Sequence, residues 1–60
     1  MTAEEARERV GDIRAGLRCA MRAVSRPEPD WDAAVAALLD VSADANDLAL
    51  LCLSEKVRRG

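Results

Sequence analysis

The sequence predicts an all-α protein, an antiparallel helical hairpin whose helices span about residues 3–25 and 30–57 and which pairs with a second hairpin into a four-helix bundle. Three observations lead there. Two apolar seams of heptad spacing run on either side of one proline-containing break, helix-start signals stand at the head of each, and blocks of opposite charge fall where an antiparallel turn would set them side by side. Sixty residues make one small domain. A chain of this length buries only about 60% of the surface it exposes when unfolded, so another subunit, a metal or disulfides usually supplement its core.

The first helix opens on "TAEE", where Thr2 and Glu5 form a capping box, the threonine oxygen accepting from the Glu5 amide while the glutamate reaches back. From there Ala3, Ala6, Val10, Ile13, Leu17, Ala20 and Val24 alternate spacings of three and four, an a/d seam sustained for three heptads. "SRPEPD" ends it, because Pro27 denies Arg26 an easy helical conformation and Pro29 extends the break. Gly11 and Gly16 lie inside this helix but off the seam, each at a cost of about 1 kcal/mol against alanine, which points to neutral positions or to a close approach of another helix.

Asp30 is the N-cap of the second helix, with Trp31 and Asp32 in its first turn and Asp32 favoured by the positive end of the dipole. Trp31 is expected to plug the turn end of the bundle. Its seam runs Trp31, Ala34, Leu38, Val41, Ala45, Leu48, Cys52, matching the first. A further stripe of Leu50, Leu53 and Val57 lies about 100–140° round the helix, so two sides of it require neighbours. An alternative three-helix bundle would break this segment near Ser42, with Ser42 as an N-cap. The unbroken helix is preferred because Ala45 stands where a capping box wants Glu or Gln, no Gly or Pro lies nearby, and the heptad continues in register.

Charge sets the direction of the turn. Residues 9–26 hold five arginines and only Asp12, whereas 27–53 hold six acids and no base; Glu4, Glu5 and Glu8 open the chain and Lys56, Arg58 and Arg59 close it. An antiparallel hairpin turning near residue 28 lays every block against its opposite. Arg14, Arg18, Arg22 and Arg26 recur every fourth residue, where each exposed like-charged pair costs about 0.2–0.5 kcal/mol. Long arginine side chains reaching Asp30, Asp32 and Asp40 are expected to neutralise this ladder within the chain.

The hairpin-dimer plan resembles the small plasmid copy-number RNA-binding proteins of the Rop type, which share the length, the turn near residue 30 and a late Cys-Leu pair, here Cys52 and Leu53. In that family the RNA-contacting face lies on the first helix and includes lysine, asparagine, phenylalanine and glutamine. Helix one here offers arginines and no aromatic, so no site is carried over.

No catalytic site is expected. Histidine and tyrosine are absent, there is no Gly-rich phosphate loop, and no serine has a plausible base. Cys19 and Cys52, 33 residues apart with no imidazole, compose no zinc site, and no metal or other cofactor is expected. Cys52 reads as a small core residue, while Cys19, off the seam beside Arg18 and Arg22, is a candidate reactive thiol. The acidic "MTAEEARER" start is unlike a secretory leader, and the longest apolar run, "LALLCL", falls short of the ~18 residues of a membrane span, so a reduced cytoplasmic setting without membrane contact is expected. Eight arginines against one lysine point to a GC-rich bacterial or phage genome.

The expected function is a non-catalytic protein-protein interaction or oligomerisation module, a small regulatory or assembly factor acting as a homodimer and with a larger protein partner. Its interface and core candidates are Val10, Ile13, Leu17, Val24, Trp31, Leu38, Val41, Leu48, Leu50, Leu53 and Val57. The alternative is RNA or DNA binding through Arg7, Arg14, Arg18 and Arg22 on one flank of helix one, set against a net charge of −2.

Overall fold

A computed structural model describes all residues from Met1 to Gly60. The chain forms two α-helices, α1 (Ala3–Val24) and α2 (Trp31–Arg59), that pack against each other as an antiparallel hairpin. The Thr2 capping box is complete: Glu5 N donates to Thr2 Oγ1 and Thr2 N donates to Glu5 Oε1, both at 3.1 Å. These bonds, led by those from Thr2, hold the exposed Glu5 carboxyl below its usual range. At the other end of α1 the Ser25 amide donates to Arg22 O and the Ser25 hydroxyl to Met21 O, so the last turn is satisfied before the prolines.

Asp30 serves both helices. Its side chain accepts from Ala33 N at 3.0 Å to cap α2, and its own amide donates to Ala23 O at 2.9 Å, tying the start of α2 to the end of α1. α2 then runs 29 residues without interruption through Ser42, so the three-helix alternative does not occur. It extends two residues past the expected end. Glu55, paired with Arg58 and Arg59, secures that final turn.

The register is antiparallel throughout. Asp30 meets Ala23 at the turn, Gly16 lies against Val41 midway, and the Met1 ammonium pairs with Glu55 Oε1 at 2.7 Å at the open end. That pair and Arg58 lower the Glu55 carboxyl to about 2. Between the helices the side chains are small. Only Ala20, Ala23, Ala34 and Leu48 are buried, flanked by half-buried Ala6, Ile13, Gly16, Ala37 and Val41. A contact built from alanine and glycine lets the backbones approach closely, which is why Gly16 stands where it does.

Two expectations need correction. Val10, Leu17, Val24, Trp31, Leu38 and Cys52, placed on the seams, are not buried between the helices; Trp31 is 65% exposed and does not plug the turn. The arginine ladder is not neutralised within the chain either, since Arg26 pairs with Asp30 at 3.6 Å while Arg14, Arg18 and Arg22 make no ion pair. The rows point apart. At 100° per residue the arginines lie about 100–200° to one side of the α1 contact row, and Asp40, Asp44 and Asp47 about 60–100° to the other side of the α2 row.

Candidate interaction face

Each seam has been split lengthwise. The halves that meet inside the hairpin are Ala6, Ile13 and Ala20 on α1 and Ala34, Val41 and Leu48 on α2. The other halves, Ala3, Val10, Leu17 and Val24 and then Trp31, Leu38, Ala45 and Cys52, stand four residues after or three before these, about 40–60° further round. Antiparallel helices are viewed from opposite ends, so the same offset swings both outer halves to one flank of the hairpin. Ala3 and Cys52 accordingly line one shallow depression at the open end, together with Lys56.

That flank is apolar and uncovered. Val10, Leu17 and Leu38 are each 47% exposed, and Met21 and Val35 beside them are more so. Arg7 and Arg14 border it on α1, with Ser42, Ala49 and Lys56 in the equivalent row of α2. The opposite flank is polar. Arg9, Asp12 and Asp44 gather round Ile13 there, and Arg9 and Asp47 adjoin Leu51. Leu50, Leu53 and Val57 are exposed on α2, at 58%, 53% and 72%, with Leu50 adjoining Arg9, Asp47 and Leu51 at the edge of the polar flank.

The structure thus distributes the candidate interface residues over three surroundings. Ile13, Val41 and Leu48 form the contact between the helices; Val10, Leu17, Val24, Trp31 and Leu38 share the open flank; Leu50, Leu53 and Val57 form the outward stripe. Arg7, Arg14, Arg18 and Arg22 stay together on the outer side of α1. Arg22 Nη2 approaches the exposed Cys19 Sγ at 3.2 Å, whereas Cys52 lies near the open end. Sequence reading missed Ala23 and Ala37 as contact residues, and the close helix approach it offered for Gly11 and Gly16 occurs at Gly16 alone; small size, more than hydropathy, was the available signal.

The chain has no group of histidine, cysteine or acidic side chains arranged to hold a metal ion, and no helix is long and apolar enough to cross a membrane. The arrangement can bury surface against another helical body, and its arginine row can meet an anion. No family model, curated protein or solved structure matches the chain.

Proposed function

We propose that the chain is a non-catalytic helical oligomerisation and interaction module, which closes a four-helix bundle by burying its open flank against a second copy. The exposed area carries the reading. A folded monomer of 6.5 kDa is expected to expose about 3,800 Å², whereas this hairpin exposes 4789 Å². The surplus of about 1,000 Å² is comparable to the ~800 Å² that each partner contributes to a stable interface. The outward stripe Leu50, Leu53 and Val57 remains uncovered in such a bundle and is the surface offered to a larger protein partner in a regulatory or assembly role.

Light scattering of point variants tests the face. Leu17→Asp and Leu38→Asp, which place charge in the open flank, are expected to turn a dimer into a monomer. Leu50→Asp is expected to leave the mass unchanged. Equal masses for all three and the parent chain would overturn the assignment.

A second reading, nucleic-acid binding through Arg7, Arg14, Arg18 and Arg22, is favoured by one observation: none of these guanidinium groups is held by a carboxylate. Arginine-phosphate contacts make such binding steeply salt-dependent. A gel shift with structured RNA and duplex DNA at low salt tests it, and no retardation at tens of micromolar protein would dismiss it.

A further inference from the structure

The apolar side chains of the open flank are graded in size from one end to the other, with Arg7 and Lys56 bordering the end where they are small. Near the turn it carries Val24, Met21 and Leu17 from α1 and Trp31, Val35 and Leu38 from α2; towards the open end it carries Val10 and Ala3, then Ala45, Ala49 and Cys52. We infer that the second copy lies head to tail on this flank, its open end over the turn of the first, about a twofold axis passing near Arg14 and Ser42. This rests on the homodimer reading above and adds the orientation.

The register fixes which residues would meet. Gly16 beside Val41 and Met1 beside Glu55 set the levels of the two helices, and a rise of 1.5 Å per residue places the others. Turned head to tail, the copies set Trp31 opposite Cys52, Leu38 opposite Ala45, Val35 opposite Ala49 and Val24 opposite Ala3, with Leu17 opposite Val10 in between, each within about one helical turn. Large side chains meet small ones at the outer levels and Leu17 meets Val10 between them, so the gap between the hairpins stays nearly even. Stacked with both turns at one end, the copies would set Val24 against Trp31 and Leu17 against Leu38 there, and Ala3 against Cys52 at the other end. A wedge would result, with a void where cores tolerate none.

The head-to-tail arrangement has an electrostatic signature. It lays α1 beside α1, so Arg14, level with the axis, faces Arg14 of the other copy, whereas the same-end stack would put it opposite the uncharged Ser42 region of α2. Like charges at the axis weaken a dimer that the apolar layers hold, and salt relieves them.

Cysteine cross-linking tests the orientation. A Cys19→Ser, Trp31→Cys chain treated with a short bis-maleimide is expected to give a covalent dimer that disappears when Cys52→Ser is added. The two introduced cysteines would lie more than about 30 Å apart head to tail. A covalent dimer that survives Cys52→Ser, or no covalent dimer from a chain that light scattering finds dimeric, would overturn the orientation alone. A monomeric parent chain would overturn the homodimer reading and this inference with it. Should Trp31→Cys itself dissociate, Arg14→Gln decides: it is expected to tighten the dimer on the order of threefold at low salt and to flatten the salt dependence, and an unchanged dissociation constant would refute the inference.

Discussion

Gly16 and Gly11 are both interior glycines of α1, and replacing each with alanine should give opposite results. An alanine Cβ at Gly16 would stand 2.6 Å from Val41 Cγ2, whereas one at Gly11 would meet nothing within 4 Å. Ordinary carbon contacts lie at about 3.5–4.0 Å, so roughly 1 Å must be found at residue 16. Val41 yields poorly because its branched side chain is stiff at χ1, and overpacking of this kind costs about 1–3 kcal/mol. Alanine returns about 1 kcal/mol of helix propensity at either site. Gly11→Ala should therefore stabilise by about 1 kcal/mol, while Gly16→Ala should be neutral or destabilising by up to about 2 kcal/mol. At about 4–8 °C per kcal/mol for a domain of this size, the melting temperatures should differ by at least about 4 °C. Thermal unfolding by circular dichroism at one fixed protomer concentration reads this, since association makes the midpoint concentration-dependent. In a Val41→Ala background the obstruction is gone and Gly16→Ala should stabilise as Gly11→Ala does. Equal gains from both substitutions in the parent chain would refute the close contact at residue 16, and the helix register with it.

Asp30→Ala removes the cap of α2 and should lower stability by about 1 kcal/mol, visible as a lower melting temperature with unchanged association below it. The Glu55 carboxyl, held at about 2 by the Met1 ammonium and Arg58, favours the folded state above its usual value near 4.5; that contribution fades as pH falls from there towards 2. Glu55→Gln should thus melt earlier at neutral pH and lose less stability on acidification, as followed by thermal melts between pH 6 and pH 2, conditions of about that range sufficing. Trp31, 65% exposed in the lone hairpin, should show emission that moves to the blue as concentration rises, with the same midpoint as the change in mass.

Punctuation in the sequence located the helices well. Thr2 with Glu5, the pair of prolines and Asp30 act through local hydrogen bonds and fixed dihedrals, so their effect was readable without knowing what lay nearby. The antiparallel sense followed from the charge blocks, and the structure bears it out through the Met1–Glu55 pair. The rotation of each helix was harder to read. Heptad periodicity marks a broad apolar arc but does not say which half faces the neighbour in the same chain. Here the row of smallest residues decides it, because Gly16, Ala20, Ala23, Ala34 and Ala37 permit the closest approach and leave Leu17, Leu38 and Trp31 outside. The arginine ladder misled for a related reason: blocks that oppose each other along the chain can still point to opposite flanks. Of these apolar rows, the periodicity was legible and their division into an inner contact, an open flank and an outward stripe was not.

The measurement that bears most directly on the whole account is sedimentation equilibrium of the unaltered chain across micromolar concentrations. The account predicts a helical species of about 13 kDa, twice the 6.5 kDa chain, dissociating on dilution. A fully helical 6.5 kDa particle at every concentration would contradict it, because the hairpin would then stand in water with its open flank unshielded.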